Sequence, residues 1–338
     1  MAQSYEQAIA YIKEKSGDNY TTLSNFLDNN SIAIFLLTKK LVGKSIYIHH
    51  LKTLFPNKFE TISVGDIVRE VQAEITDDLK KDINEMLNKK GSIGEFTTTE
   101  QIVNAINDST VKKLLPSSIT EFLIRRKITK IPQKQSIIFD GLPRALDQIP
   151  FVNKLINKLQ TKTHRKSLLI EIDLNDEILD ARQKARRICP VCGLNSNILT
   201  VVGGTPRYNK ETKEFYLECD SATCKGKGVK LEGKVGETDY QSMIIRRRQE
   251  EVVNKKMRES ADEKYIYLRS DVPIEEFTKD EQTMKIELNQ VTEFALDENE
   301  NVVLKQTPQI GHISGKKAYS LSPSGFMPIL ISKIVEKI

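Results

Sequence analysis

The centre of the chain carries residues whose types and spacing suit the binding of a phosphorylated nucleotide. A short apolar run ends at Asp140, Gly141 follows it, and Arg144 and Gln148 lie four residues apart in the next segment. Such a run predicts a buried parallel strand, and open α/β sheets bind ligands at the carboxyl ends of their strands. Residues four apart share one helix face, where a guanidinium and an amide suit a phosphate and a base edge. The alternative is an ordinary strand, turn and helix with solvated polar residues.

A second candidate phosphate site lies nearer the N-terminus. The apolar stretch 31–37 predicts another buried strand, and Gly43, Lys44 and Ser45 precede an amphipathic helix. A strand, a loop ending in Gly-Lys-Ser and a helix form a P-loop, whose backbone N–H groups surround phosphates. In that arrangement Lys44 contacts the outer phosphates and the Ser45 hydroxyl contacts Mg²⁺. Thr38 replaces the first glycine of the pattern, so a basic turn that starts a helix is the alternative.

All four cysteines lie in one short segment and suggest a metal site. They form the pairs Cys189/Cys192 and Cys219/Cys224, with 26 residues between the pairs. Four thiolates so arranged suit tetrahedral Zn²⁺, and because four protein ligands leave no open position, we expect the metal to be structural. Four residues rather than two separate the second pair, and free buried thiols are the alternative.

The composition limits the possible classes of protein. The 338 residues are enough for one large domain with insertions, or for two domains. A net charge of +5 suits polyphosphate ligands but is too small and too scattered to indicate nucleic-acid binding. No apolar run is long enough for a transmembrane helix and no secretory leader is evident. We therefore expect a cytoplasmic protein that binds neither nucleic acid nor a membrane.

The run from Asp140 to Arg144, with Gln148 four residues on, resembles the signature of the adenylate kinases and related nucleoside monophosphate kinases. Further stretches between residues 31 and 277 resemble the same family, in the same order along the chain. The resemblance implies an α/β protein with the parallel-sheet P-loop nucleoside monophosphate kinase fold. It also implies a zinc-ribbon-like lid, beyond which lies an added C-terminal β-rich segment.

The resemblance implies a division of the chain into a core and two additions. Residues 1–30 are expected to form an N-terminal helical extension and residues 31–277 the kinase core. Within the core, residues 65–134 correspond to the acceptor-binding segment and residues 188–237 to the lid. Residues 278–338 resemble nothing in the compact kinases. The alternating pattern of residues 278–320, with a turn at 297–301, predicts a β-hairpin or a small sheet, and a closing amphipathic helix is predicted from about residue 324.

Residues 62–69 resemble the acceptor loop of the family, in which the arginine binds the phosphate of the acceptor nucleotide. Val64 stands where the family has threonine, which removes one hydroxyl near the acceptor base. Carried over residue by residue, the implied AMP-binding residues are Ser63, Arg69, Gly141, Arg144 and Gln148.

Residues 180–187 resemble the helix that enters the lid. There one arginine lies against the donor adenine and the next binds phosphate, and these positions are Arg182 and Arg186 here. The proline and central glycine of the family's phosphate loop are replaced by Lys40 and Leu41. The implied ATP-binding residues are Gly43, Lys44, Ser45, Arg182 and Arg186.

Residues 237–251 resemble the exit from the lid. The resemblance implies that Asp239 is the hinge-side carboxylate and Arg248 the arginine at the transfer site, with Arg247 as the alternative if the register differs by one. Asp140 is implied to orient hydrated Mg²⁺. The implied catalytic residues are Lys44, Asp140, Arg144, Arg186 and Arg248.

The resemblance therefore implies a monomeric kinase that transfers the terminal phosphoryl group of Mg·ATP to a nucleoside monophosphate, AMP in the first instance. Structural Zn²⁺ in the lid is implied to bind Cys189, Cys192, Cys219 and Cys224. Three alternatives remain open: a UMP or CMP kinase, a nucleotide-binding homologue weakened by its glycine-poor loop, and a zinc-ribbon module. The last would bind nucleic acid through basic residues in 182–187 and 246–248.

Overall fold

A computed structural model describes residues 5–109, 115–200, 203–226, 228–233, 240–260 and 264–338. The α-helices are α1 (Tyr5–Asn29), α2 (Lys44–Leu54), α3 (Val64–Ala73), α4 (Asp77–Lys90), α5 (Thr99–Asn107), α6 (Ser117–Thr129), α7 (Ile149–Thr163), α8 (Asp176–Ala185), α9 (Tyr240–Glu259), α10 (Glu281–Glu287) and α11 (Pro323–Val335). The strands are β1 (Ile32–Thr38), β2 (Phe59–Ser63), β3 (Ser136–Asp140), β4 (Lys166–Asp173), β5 (Arg186–Ile188), β6 (Asn195–Asn197), β7 (Thr205–Asn209), β8 (Glu214–Glu218), β9 (Tyr265–Arg269), β10 (Asp271–Pro273), β11 (Gln290–Leu296), β12 (Val302–Pro308), β13 (Ile310–Ile313) and β14 (Lys316–Ser320).

The central sheet is parallel and has the strand order β2-β3-β1-β4-β9. Its middle strand β1 is buried along almost its whole length, because helices cover both faces of the sheet. The α/β fold predicted from the apolar runs is confirmed. The order also places the carboxyl ends of β1, β2, β3 and β4 along one edge, where the predicted site residues follow the strands.

Two hydrophobic cores lie on the two faces of this sheet. One packs apolar residues of α1, α2, α8 and α11 against the sheet, and the other packs residues of α3 to α7 and of α9. The closing helix predicted from about residue 324 is α11, and its Phe326 and Leu330 are fully buried in the first core. Helix α11 therefore belongs to the central layer of the fold, although it follows the β-rich segment.

Local sequence signals explain where the helices near the cleft begin and end. The Thr76 hydroxyl accepts a hydrogen bond from the backbone N–H of Leu79, which caps α4, and Gly91 ends that helix at φ 79°. Thr98 and Gln101 form a reciprocal capping box at the start of α5. Helix α6 packs against α3 in the second core, and its Arg126 forms ion pairs with Asp78 and Asp82 of α4.

The β-rich segment after β9 is present, as predicted. Strands β11 and β12 form the hairpin expected around residues 297–301, and β10, β14 and β13 form a separate antiparallel sheet. The segment that precedes α9 contains two further short hairpins, β5-β6 and β7-β8, which carry the cysteines at their ends. Within the described residues, no helix combines the length and the apolar character needed to cross a bilayer.

Candidate functional site

One cleft of about 1480 Å³ opens at the carboxyl edge of the parallel sheet. It exceeds the volume of a typical site for one small ligand, which is roughly 300–1,000 Å³. Residues from the ends of β1, β2 and β3 and from the helices that follow them line this cleft. The predicted site residues that line it are Gly43, Lys44, Ser45, Ser63, Arg69, Asp140, Gly141, Arg144, Gln148, Arg182 and Arg186.

The loop between β1 and α2 has a left-handed backbone where glycines would be expected. Gly43 has φ 109° and Leu41 has φ 76°. The left-handed conformation costs a residue with a side chain roughly 1–2 kcal/mol, so Leu41 is strained. Lys44 begins α2 and forms an ion pair with Asp140 at the end of β3. The glycine-poor loop therefore still presents its lysine to the cleft.

Two side chains from other helices hold this loop. Arg182 of α8 donates from Nη1 to the carbonyl oxygens of Leu41 and Val42, at 3.1 and 3.0 Å. Glu250 of α9 accepts a hydrogen bond from the backbone N–H of Lys40 at 2.8 Å. Burial lowers the pKa of Arg182. These tertiary hydrogen bonds offset part of the strain at Leu41.

An anion-binding arrangement lies at the start of α3. The Ser63 hydroxyl accepts from the backbone N–H of Asp66 at 3.3 Å and caps the helix, while Arg69 forms an ion pair with Asp66. A β-carbon built on Gly65 would lie 3.4 Å from Nη1 of Arg69 and 3.6 Å from Nη2 of Arg144. Two guanidinium groups and the positive end of a helix dipole therefore converge on the same place.

The turn after β3 is shaped by the side chain of Arg144. Gly141 has φ 75°, and a β-carbon there would lie 2.7 Å from Nε and Nη2 of Arg144. The predicted shared helix face of Arg144 and Gln148 is wrong, because extended backbone at Ala145 separates Arg144 from the 3₁₀ turn Leu146–Gln148. The two residues are joined instead by a hydrogen bond from the Arg144 backbone N–H to Oε1 of Gln148, at 2.8 Å.

Positive charge accumulates around Arg144. Burial lowers the pKa of Arg144, and the nearby guanidiniums of Arg246 and Arg69 lower it further. The carboxylates of Asp140 and Glu250 act in the opposite direction. A multiply charged anion in the cleft would relieve the repulsion among these cations.

The three consecutive arginines of α9 point in different directions. Arg246 lines the cleft, whereas Arg247 is buried in an ion pair with Asp180 of α8. Arg248 is exposed and does not line the cleft, so its predicted place at the transfer site is wrong, as is the alternative Arg247. Each residue turns a helix by about 100°, and only Arg246 lies on the cleft side. The predicted hinge carboxylate Asp239 lies outside the described residues.

Sequence reasoning also missed residues that support the site. Glu250 lies one helical turn after Arg246, and its Oε1 is 3.4 Å from Nε of that arginine; the i, i+4 spacing could have indicated this pair. Lys39 forms ion pairs of 3.1 Å with Asp173, the last residue of β4, and with Asp176, the first residue of α8. No local sequence pattern indicates the ion pairs of Lys39, because both aspartates are distant from it in sequence.

The four cysteines form a compact cluster. Their Sγ atoms all lie within 4.8 Å of one another, with 3.8 Å between Cys189 and Cys224 and 3.7 Å between Cys192 and Cys219. A tetrahedron with metal–sulfur bonds of about 2.3 Å has sulfur–sulfur edges of about 3.8 Å. The separations are too long for disulfides and fit a four-coordinate metal ion.

The cysteine-bearing segment is docked on the inserted hairpin β11-β12. The rings of Phe215 and Phe294 stack with centroids 5.4 Å apart, and the backbone N–H of Thr292 donates to the carbonyl oxygen of Leu199 at 2.5 Å. An ion pair joins Lys210 to Glu300 at the hairpin tips. The β-rich segment therefore contacts the predicted lid directly.

Comparison with known proteins identifies relatives of the kind that the motifs indicate. No protein-family model matches the chain. An adenylate kinase of Thermotoga maritima is 28% identical over 196 residues, which cover 58% of this chain and 71% of that protein. An adenylate kinase of Fervidobacterium nodosum is 29% identical over 161 residues, which cover 47% of this chain and 60% of that protein. The resemblance to the adenylate kinases is confirmed, and these relatives support a kinase of the nucleoside monophosphate kinase family.

The backbone of the phosphate loop makes a prediction about Leu41. A glycine variant is normally less stable than the matching alanine variant. At position 41 we expect the opposite, because the backbone has φ 76° and only the alanine variant retains a strained β-carbon. Both Leu41→Gly and Leu41→Ala remove the packing of the leucine side chain. We expect Leu41→Gly to exceed Leu41→Ala in free energy of unfolding by about 1 kcal/mol in urea titrations. An alanine variant that is equally or more stable would contradict the left-handed backbone.

Proposed function

We propose that this relative of the adenylate kinases transfers the terminal phosphoryl group of Mg·ATP to a nucleoside monophosphate, with AMP as the acceptor. The observation that carries the proposal is the convergence of Lys44, Arg69, Arg144, Arg186 and Arg246 on one cleft, although they lie far apart in the chain. Phosphoryl transfer passes through a loose transition state with charge spread over the phosphate oxygens. Positioning and fixed positive charge are therefore the main contributions of the protein.

The cleft has separate parts for a donor and an acceptor. Lys44 and Arg186, together with the loop N–H groups before α2, are suited to the donor triphosphate. Arg69 at the start of α3 is suited to the acceptor phosphate. Arg144 lies between these parts, because its guanidinium is near both Gly65 at the start of α3 and Gly141, the neighbour of Asp140, which pairs with Lys44. Arg246 lines the same cleft, so Arg144 and Arg246 are suited to the transferring group. In this arrangement the cations neutralise charge on both reactants at once.

Asp140 and Ser45 are the residues suited to hydrated Mg²⁺. Both line the cleft beside Lys44, and a carboxylate and a hydroxyl are hard oxygen donors of the kind that Mg²⁺ prefers. When bound with ATP, Mg²⁺ neutralises charge on the phosphate oxygens. The role of Asp140 is to orient that ion, and the ion pair between Asp140 and Lys44 keeps both side chains beside the donor phosphates.

The acceptor is proposed to be AMP because of the relatives and because the pocket is suited to a purine. The relatives are named adenylate kinases. Val64, Val68 and Gln148 all line the cleft, and Nε2 of Gln148 has no hydrogen-bond partner among the described residues. An amide donor and apolar side chains suit the ring nitrogens and flat face of a base.

The cysteine cluster is proposed to bind one structural Zn²⁺ ion. Thiolate donors and a closed tetrahedral arrangement are typical of structural zinc. Among the described residues around the cluster, few apolar side chains are buried, chiefly Leu217 and Leu231 besides the cysteines themselves. A metal ion is therefore needed to hold the hairpins of the lid, which must exclude water from the phosphates during transfer.

The proposed activity is tested by measuring ADP formation in a coupled assay with ATP and, in turn, AMP, CMP, UMP and GMP. We expect turnover to be highest with AMP and to require Mg²⁺. Rapid turnover with CMP or UMP and little with AMP would replace the proposed acceptor. Nucleotide binding without turnover on any monophosphate would indicate a homologue that has lost catalysis.

The arginines of α9 provide a matched pair of variants. We expect Arg246→Ala to lower kcat by at least about 100-fold, since it removes a charge beside the transferring group. Arg248→Ala removes the same side chain two positions later, from the exposed side of the helix, and should leave kcat near the wild-type value. A large loss in Arg248→Ala with normal turnover in Arg246→Ala would contradict the assigned register.

Metal content tests the zinc proposal. We expect one equivalent of zinc per chain by elemental analysis. Cys192→Ser should lose the metal and lower the melting temperature, and because Cys192 is exposed, lost core packing would not explain that change. Ser221→Ala, in the same segment, serves as the control and should retain the metal. Metal-free wild-type protein, or an unchanged melting temperature in Cys192→Ser, would refute the proposal.

A further inference from the structure

The segment between β9 and α11 contributes to the cleft beside the phosphate loop. Asn289, at the start of the inserted hairpin, and Pro323, at the start of α11, line the cleft together with Arg182. Arg182 is bonded to the loop carbonyls of Leu41 and Val42, so this is the end of the cleft assigned to the donor. The sequence motifs give this segment no role.

A buried hydroxyl connects Arg182 to Asn289. Nη2 of Arg182 donates to Oγ of Ser320 at 3.2 Å, and Nδ2 of Asn289 donates to the same oxygen at 2.9 Å. Ser320 is fully buried, and strands β14 and β10 hold it in place. The guanidinium and the amide are therefore fixed relative to each other and to the phosphate loop.

The orientation of the Asn289 amide follows from a second hydrogen bond. Nδ2 also donates to the carbonyl oxygen of Leu321 at 2.7 Å. A backbone carbonyl can only accept, so the nitrogen must face Leu321 and Ser320 and the oxygen Oδ1 must face away from them. Among the described residues, none donates a hydrogen bond to this oxygen. Asn289 therefore offers the cleft a fixed hydrogen-bond acceptor.

We propose that Asn289 determines the specificity for the donor base by accepting a hydrogen bond from the exocyclic 6-amino group of a purine. This proposal rests on the proposed function, since it assigns the base of the phosphoryl donor. A 6-aminopurine places a donor against Oδ1, whereas a 6-oxopurine places a second acceptor there. The oxo base leaves both oxygens without a hydrogen, and sites built for one polar group reject the other for this reason.

The planar guanidinium of Arg182 and the ring of Pro323 complete this base site. Arg182 has both ends of its guanidinium engaged, by the loop carbonyls and by Ser320, and its side chain lines the cleft, where a base can stack on the planar group. Pro323 adds an apolar contact with no rotatable side chain. These two residues contact any purine equally, so the choice between amino and oxo bases depends on Asn289.

The test compares ATP with inosine triphosphate, whose purine carries an oxo group at position 6 and a hydrogen on N1, using AMP as a constant acceptor. We expect wild-type kcat/KM to favour ATP by about 10-fold or more. Asn289→Ala should reduce that ratio towards 1 through a higher KM for ATP, with the KM for AMP unchanged. Gln290→Ala is the control, because Nε2 of Gln290 donates to the carbonyl oxygens of Met284 and Leu288 and the residue does not line the cleft.

Equal losses with both triphosphates in Asn289→Ala, or a ratio that stays at the wild-type value, would overturn the proposal and assign Asn289 a structural role only. Thermal unfolding of each variant checks that the fold is retained. Calorimetric titration with the two triphosphates measures the same ratio without turnover. A wild-type protein that discriminates in binding but transfers no phosphoryl group would refute the proposed function while supporting the role of Asn289.

Discussion

Repulsion among cations is the constraint on which the rest of the cleft depends. Arg144 lies partly buried between Arg69 and Arg246, and each neighbour lowers its pKa. The protein offsets only part of this charge, through Asp140 and Glu250. Positive charges that a folded core holds close together form a site for an anion. A phosphate group suits such a site because it offers several negatively charged oxygens. The folded sheet maintains this unfavourable arrangement because its strand ends meet at one edge.

The phosphate loop illustrates how tertiary contacts replace an intrinsic preference. A glycine at position 41 would adopt the left-handed backbone without strain, but this chain has a leucine there. Two sets of hydrogen bonds fix this loop. Arg182 donates to the carbonyl oxygens of Leu41 and Val42, and the backbone N–H of Lys40 donates to Glu250. Both partners come from α8 and α9, the helices that precede and follow the cysteine-bearing segment in the chain.

The β-rich segment between β9 and α11 contacts two separate regions of the fold. Its hairpin contacts the cysteine-bearing segment through Phe294 and Glu300, and its base contributes Asn289 beside the phosphate loop. The same stretch of chain therefore contacts both the cysteine-bearing segment and the cleft. The N-terminal helix α1 supports it indirectly by packing against α11.

The sequence by itself determined the parallel sheet, the order of the segments that line the cleft and the identity of the cysteine cluster, because these depend on short apolar runs and on spacings within a few residues. Only the tertiary structure decided that Arg246 lies in the cleft rather than Arg248, since a helix must be docked before its rotation is known. The same holds for Gln148, whose amide oxygen binds the backbone of Arg144, and for Asn289, which is brought to the phosphate loop by strands paired far along the chain. Local patterns encode secondary structure and strand ends, whereas the direction of a side chain depends on packing between distant elements.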